Sequence, residues 1–170
     1  MTKDLIFPST DFPGPPSFRF VLPEGWRAVP SVDADAVVIG PEPVDGVHPN
    51  VVITNHKVRA TDDPTMALRS IVEQQLSRPE VSNGEDVEFL GSDGLACSVR
   101  ITRRTAVDGD GNGNGADNAA SSDVTVGQSL NLAYIPGDRV AHVLAATGTY
   151  PANGDDSRDT VESVIRSVRY

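Results

Sequence analysis

Residues 124–150, VTVGQSLNLAYIPGDRVAHVLAATGTY, have the pattern of two adjacent β-strands. The first part alternates between apolar and polar residues, as a strand does when one face of its sheet is buried. The apolar set is Val124, Val126, Leu130, Leu132 and Tyr134, and the intervening set includes Thr125, Ser129, Asn131 and Ala133. A Pro136-Gly137 turn then leads into a second strand over residues 139–150. A connection this short makes the two strands antiparallel neighbours.

The same alternation continues upstream in LACSVRITRRT, residues 95–105. One face of this strand carries Leu95, Cys97, Val99 and Ile101, and the other carries Ser98, Arg100, Thr102 and Arg104. A Gly-Ser-Asp-Gly turn at 91–94 pairs it with a shorter strand before it. Four consecutive strands therefore form an antiparallel meander.

The connection between the two long strands, DGDGNGNGADNAASSD at 108–123, begins like a calcium-binding loop. Asp108, Asp110 and Asn112 occupy ligand positions 1, 3 and 5, and Gly113 occupies position 6. Position 12, which needs a bidentate Glu, is Ala119, and both flanks read as strands rather than helices. The composition predicts a flexible Gly/Asn/Asp loop over 107–123 and no metal site.

The N-terminal third predicts an arm and three strands. Residues 1–16 contain four prolines and little pattern, which indicates an extended arm, followed by a single domain over 17–170. A strand is predicted from Phe18 to Leu22, closed by a Pro-Glu-Gly turn before Trp26. Two apolar strands follow at 35–41 and 50–58, and their continuous apolar runs are typical of central strands.

Two segments change to a helical period. Asp63 followed by Pro64 predicts an N-cap, and Pro79 ends the helix. Its apolar stripe is Leu68, Ile71, Val72, Gln75 and Leu76. The second helix is predicted to be capped by Asp156, and its stripe is Val161, Val164, Ile165 and Val168. The fold class is thus α+β: an antiparallel sheet of about six to seven strands flanked by two main helices.

Composition excludes several classes of partner and site. The chain has 170 residues and a formal net charge of −10, which disfavours nucleic acid and anionic membrane surfaces. Its one cysteine rules out an intrachain disulfide. We expect no signal peptide, lipidated cysteine or membrane-inserted helix, which predicts a cytoplasmic location, with export by a route without a recognisable signal as the alternative. Twelve Arg against two Lys indicate a GC-rich bacterial genome.

No catalytic constellation stands out in the sequence. His48, His56 and His142 have no metal-ligand spacing, and His142 in an apolar strand is typical of a satisfied, half-buried residue. Cys97 faces the predicted core, where a thiol is inert. Serine-hydrolase, phosphate-loop and dinucleotide motifs are absent. We therefore predict no catalytic residue, metal or cofactor.

The polar face of the long strands and the single Trp are the candidate binding residues. The set is Arg100, Thr102, Arg104, Asn131 and Trp26. Such a face, which also includes Thr125 and Ser129, is either exposed to solvent or a contact surface for a protein or an acidic ligand. Trp26 either anchors the edge of the core or lines a ligand groove.

The order of these elements, with FRFVLPEGW (18–26), NVVITNHKV (50–58), GSDGLACSVR (91–100) and TVESVIRSV (160–168), resembles the Mog1/PsbP-like fold. Within it the chain is similar to the actinobacterial LpqN/LpqT-type proteins. The resemblance covers about residues 17–169. It implies an α/β/α sandwich and adaptor, chaperone-like or assembly roles without shared catalytic residues. It also implies that both sheet faces are covered, which leaves the polar face to the N-terminal arm or a partner.

Three functions follow as hypotheses. The first is a non-enzymatic protein-binding or adaptor module, with a protein partner or a homodimer. The second is a small-ligand carrier with a pocket of at least roughly 300 Å³ near Trp26. The third is a hydrolase or other enzyme whose site is assembled from residues scattered in sequence, such as Glu24, His56 or His142, which would require ionisable groups with shifted pKa in one cleft.

Overall fold

The elements of the fold are known for most of the chain. A computed structural model describes residues 14–84, 88–90, 95–107 and 122–170, and for 82–84, 88–90, 103–107 and 122–123 it describes the backbone alone. The strands in this part are β1 (Arg27–Val29), β2 (Ala36–Ile39), β3 (Asn50–Arg59), β4 (Val81–Gly84), β5 (Glu88–Leu90), β6 (Ala96–Val107), β7 (Ser122–Ile135) and β8 (Val140–Pro151). The helices are α1 (Pro64–Leu76) and α2 (Asp155–Ser167). The predicted α+β class is confirmed.

All these strands join one antiparallel sheet in the order β1-β2-β3-β8-β7-β6-β4, and β5 also pairs with β6. The long strands β6, β7 and β8 form the meander that the sequence predicts. On β7, Leu130 lies opposite Val99 of β6 and Thr147 of β8. Six of the strands have four or more residues, while β1 and β5 have three.

The two helices cover opposite faces of this sheet. Successive residues of β8 show it, because side chains alternate between the faces of a strand. Val143 and Ala145 belong to a core with α1, which contains Leu68, Val72, Cys97, Val99, Ile101, Leu130, Leu132, Tyr134 and Ala141. Leu144 and Ala146 belong to a core with α2, which contains Val38, Val51, Ile53, Tyr150, Val161, Val164 and Ile165. The layers are therefore α/β/α.

Helix α1 begins where the sequence predicts. Asp63 is the N-cap, and its Oδ1 accepts a 2.9 Å hydrogen bond from the backbone N–H of Met66. Leu68 and Val72 of the predicted stripe are buried on the sheet. The helix ends at Leu76, three residues before Pro79.

Helix α2 starts two residues earlier than predicted. Gly154 is its N-cap, without a side-chain cap hydrogen bond, so the prediction that Asp156 caps this helix is wrong. Asp155 and Asp156 lie inside the first turn instead. Carboxylates there interact favourably with the helix dipole, which explains why acidic residues cluster at this end without capping it.

The strand predicted from Phe18 to Leu22 is wrong. Arg19 makes only an isolated antiparallel bridge with Arg169, through two backbone hydrogen bonds of 2.8 Å. Phe18 and Phe20 pack against the α2 core, so the apolar alternation here reflects attachment to the tail after α2 rather than membership of the sheet.

Three predictions concern residues outside the described part of the chain. The Gly-Ser-Asp-Gly turn at 91–94 lies wholly outside it, as do residues 108–121 of the predicted loop and residues 1–13 of the predicted arm. Neither helix within the described ranges has the length and apolar character needed to cross a bilayer.

Candidate functional site

The predicted polar face lies on the side of the sheet that α2 covers. The β6–β7 register places Ser98 opposite Asn131, Arg100 opposite Ser129, Thr102 opposite Gly127 and Arg104 opposite Thr125. At the centre of this face the covering element is the chain's own C-terminal helix, rather than the N-terminal arm or a partner.

Glu162 of α2 binds the centre of that face. Its carboxylate accepts hydrogen bonds from Arg100 Nε at 2.7 Å and Nη2 at 3.1 Å, and from Ser129 Oγ at 2.9 Å. Arg166, one turn further along α2, donates to the same carboxylate at 2.6 Å. The hydroxyls of Ser129 and Tyr150 lie 3.3 Å apart. We call these five residues the Glu162 network.

Burial and charge shape the titration of the Glu162 network. The Glu162 side chain is 7% exposed, and hydrogen bonds from Arg100 hold the pKa of its carboxyl below the usual value even though burial opposes this. Burial raises the pKa of Tyr150. The glutamate is thus ionised and the phenol neutral at pH 7, as a structural ion pair requires.

Three predicted site residues lie around this network. Arg100 is 45% exposed, and with Thr102 it lines a cleft of about 240 Å³ together with Arg158 of α2. Asn131 lies in a separate pocket of about 360 Å³ beside the end of α2, which also contains Arg169. The structure therefore separates Asn131 from Arg100 and Thr102. The Arg104 side chain lies outside the described residues, and the binding roles of all of these residues stay predictions.

Trp26 is both a core residue and a pocket residue. Its ring is partly buried against the α2 core, and it lines a pocket of about 370 Å³ with Pro41 and Pro49 on one side and Asp156 and Thr160 on the other. The volume exceeds the value expected for a small-ligand site near this residue. Neither of the two roles predicted for Trp26 excludes the other.

The opposite face of the sheet carries a larger opening, because α1 covers β6 and β7 and leaves one end of β3 and β8 uncovered. We call this opening of about 610 Å³ the sheet groove. Its floor consists of Asn50, Val52 and Thr54 of β3, Ala145, Thr147 and Thr149 of β8, and Val126, Gln128 and Leu130 of β7. Its walls are Ile71, Gln75 and Arg78 on the α1 side, Gly46, Val47 and His48 before β3, and His56.

Cross-strand pairing arranges the floor of the sheet groove in rows. Thr149 lies opposite Asn50 and Gln128, and Gln128 Nε2 donates to Thr149 Oγ1 at 3.0 Å. The next row places Thr147 between Val52 and Leu130. A polar row therefore lies beside a largely apolar one.

The other candidate groups are structural. His142 is buried, its Nδ1 lies 3.0 Å from Asn55 Oδ1, and burial lowers its pKa below the ordinary 6.5, so the prediction of a satisfied histidine is confirmed. Cys97 is 1% exposed, and burial raises the pKa of its thiol to about 11, as expected for an inert core cysteine. Within the described ranges, no three His, Cys, Asp or Glu side chains gather as a metal site.

Sequence reasoning missed both Glu162 and the sheet groove. The signal for Glu162 is its place three residues before Ile165, on the edge of the apolar stripe of α2. An acidic residue there has to meet a complementary group on the sheet, and Arg100 supplies it. The groove leaves a weaker signal, since Asn50 and Thr54 flank the buried Val51 and Ile53 in a strand that otherwise reads as apolar.

Comparison with solved structures shows a likeness of fold. No protein-family model matches the chain, and no curated protein matches its sequence. Among solved structures it is similar to LpqN of Mycobacterium tuberculosis, described as involved in cell envelope biogenesis. The two share 18% sequence identity with a TM-score of 0.60, over 91% of this chain and 81% of that one. The Mog1/PsbP part of the predicted resemblance stays a prediction, and the chain has an LpqN-like fold.

Proposed function

We propose that the chain is a non-enzymatic binding module that takes a small ligand in the sheet groove. The observation that carries the proposal is the groove itself, a concave opening of about 610 Å³ whose floor has a largely apolar row of side chains beside a polar one. Small-molecule sites are concave, combine apolar lining with polar groups that orient the ligand, and have volumes of roughly 300–1,000 Å³.

The ionisable groups support a role without catalysis. A general acid or base works best when its pKa lies near the working pH. The resolved shifts in the described part of the chain move away from neutrality: the pKa is lowered for Glu162 and His142 and raised for Cys97, Tyr150 and Arg158. Shifts in these directions favour one protonation state of each group near neutral pH instead of preparing a proton transfer.

A protein partner is the second candidate, and the half-exposed guanidinium of Arg100 beside α2 favours it. Capture experiments for such a partner need a variant that leaves the Glu162 network intact. Arg100→Glu would place a second carboxylate against Glu162 and destabilise the fold. Arg158→Gln, in the same cleft, changes the surface without breaking that pair. Loss of a captured partner in this variant would favour the adaptor role.

The setting is proposed from the fold neighbour, which is described as involved in cell envelope biogenesis. We propose the same broad process as the first source of ligands to test. Cytoplasmic location and export stay predictions, which immunoblots of separated cell fractions distinguish. A homodimer likewise stays a prediction, which light scattering after size exclusion tests.

The binding proposal is tested with two adjacent glutamines of α1. Gln75 lines the sheet groove, while Gln74 is exposed and does not. The wild-type chain, Gln75→Trp and Gln74→Trp are dialysed against small-molecule extracts of cytoplasm and envelope, and retained compounds are identified by mass spectrometry. We expect a compound retained by wild type and Gln74→Trp and lost with Gln75→Trp. Retention by all three proteins, or by none, would contradict the proposal.

A further inference from the structure

We infer that the ligand of the sheet groove is a small organic anion with an apolar body and a single negatively charged group, held by Arg78. The inference rests on the proposed function, because it names the ligand class of the same groove. Three properties of the groove lining support this inference. They are the charge of the lining residues, the N–H donors of the Arg78 guanidinium, and the chemistry of the floor.

The charge of the groove departs from that of the chain. Asp and Glu make up 24 of the 170 residues, and the formal net charge is −10. None of the described residues lining the groove is acidic, while Arg78, His48 and His56 all line it. An anion entering the groove therefore meets a cation and no carboxylate from the lining, in contrast to the acidic chain as a whole.

Arg78 differs from the arginines of α2. Arg158 is bound to Asp155 and Asp159, and Arg166 is bound to Glu162. Within the residues that the structure describes, the Arg78 guanidinium takes part in no ion pair or side-chain hydrogen bond. It retains five N–H donors in a planar fork, which matches the oxygens of a carboxylate or sulfonate.

The floor determines the rest of the ligand. Val52 and Leu130 of the floor, with Ile71 of the adjoining wall, offer apolar surface, which favours an apolar body over a fully hydrated ion. Thr147 and Gln128 add a hydroxyl and an amide, so neutral polar substituents are accommodated as well. One guanidinium without a second Arg or Lys among the described lining residues suits a single charge rather than a polyphosphate.

The test compares two dyes of nearly the same shape. 8-Anilinonaphthalene-1-sulfonate carries an apolar body and one anionic group, and N-phenyl-1-naphthylamine has the same rings without the sulfonate. Both are titrated by fluorescence into the full wild-type chain, Arg78→Gln and Arg139→Gln. Arg139 is exposed and lies outside the groove lining, so its variant controls for net charge.

We expect Arg78→Gln to weaken binding of the sulfonate dye about fivefold and to leave the uncharged dye unchanged, since a partly exposed ion pair is worth up to about that factor. Arg139→Gln should change neither dye. Equal sulfonate binding by the two variants, or equal weakening of both dyes by Arg78→Gln, would overturn the inference. Far-UV circular dichroism confirms that each variant is folded.

A second pair of variants separates this inference from the proposed function. Gln75→Trp should abolish the binding of both dyes, and Gln74→Trp should leave the binding of both dyes unchanged. If Gln75→Trp abolishes the binding of both dyes while Arg78→Gln changes the affinity of neither, the groove stands as a binding site and the anion inference fails. If both dyes bind Gln75→Trp as they bind Gln74→Trp, the dyes lie elsewhere and both claims fail.

Discussion

The two faces of the sheet carry similar polar side chains and use them differently. On the α2 face, Arg100 and Ser129 donate hydrogen bonds to Glu162 of the covering helix. On the α1 face, Gln128 and Thr147 line an open groove beside the helix. Polar alternation along a strand therefore does not reveal whether that face of the sheet is covered. Whether a polar face is covered depends on whether the helix above it carries a side chain that can bind the polar groups of the sheet.

The first prediction disrupts the packing of α2 on the sheet and has the greatest cost in stability. A Cβ on Gly148 would overlap Cγ1 of Val161 and lie 2.7 Å from Cδ1 of Ile165, both on α2. Gly148→Val should therefore lower the free energy of unfolding by about 3 kcal/mol, measured by urea denaturation followed by circular dichroism. Thr147→Val, the neighbouring residue on the groove face, should change it by less than about 0.5 kcal/mol. Similar losses in the two variants would contradict the contrast between the faces.

The second prediction removes the charge at the centre of the Glu162 network. Glu162→Gln removes the carboxylate charge that Arg100 and Arg166 bind on α2, and should cost about 2 kcal/mol of unfolding free energy. The loss is smaller than for a fully buried pair because the Arg100 side chain is half-exposed and the Arg166 side chain is mostly exposed. Glu73→Gln, on the exposed side of α1, is the matched control and should be nearly neutral. Equal effects of the two variants would show that the network does not hold α2.

The third prediction follows the same carboxylate with pH. Hydrogen bonds from Arg100 hold the pKa of Glu162 below its ordinary value of 4.5 in the folded chain. A lowered folded pKa gives stability that is present above the unfolded value and is lost as pH falls through the folded value. The difference in unfolding free energy between wild type and Glu162→Gln should be constant near neutrality and shrink below about pH 4.5. A difference that stays constant in acid would contradict the assignment.

The smallest effect belongs to the α1 side. Asp63→Ala removes the N-cap hydrogen bond to Met66 and should cost about 1 kcal/mol, measured by urea unfolding. Asp63→Asn keeps an oxygen acceptor and should restore most of the loss. If Asn behaves like Ala, the cap does not position α1, and the wall of the sheet groove needs another explanation.

Much of the fold was predictable because its signals are local. The alternation from Leu95 to Tyr150 specifies the meander, and Asp63-Pro64 specifies the start of α1. The start of α2 was misplaced because acidic residues that favour a helix dipole resemble capping residues. Phe18 and Phe20 were wrongly assigned to a strand of the sheet. Apolar alternation indicates that residues are buried, but it does not indicate which element they pack against.

The candidate site was less predictable because it depends on packing between elements. Arg100 and Asn131 share a sheet face, yet they lie in different openings. The helix that covers that face is determined by the tertiary path of the chain. The sequence alone therefore does not identify Glu162. The sheet groove exists because α1 lies over β6 and β7 and leaves the end of β3 at Asn50, Val52 and Thr54 open, and no local pattern encodes that lateral position.

Mapping where the sulfonate dye binds tests whether the sheet groove is the ligand site. Amide ¹H–¹⁵N spectra of the wild-type chain are recorded during a titration with 8-anilinonaphthalene-1-sulfonate. We predict that the largest shifts fall in the sheet groove, at Val52, Gln75 and Thr147. Shifts concentrated at Asn131 and Tyr170, beside the end of α2, would place the binding surface on the other face and contradict binding in the sheet groove.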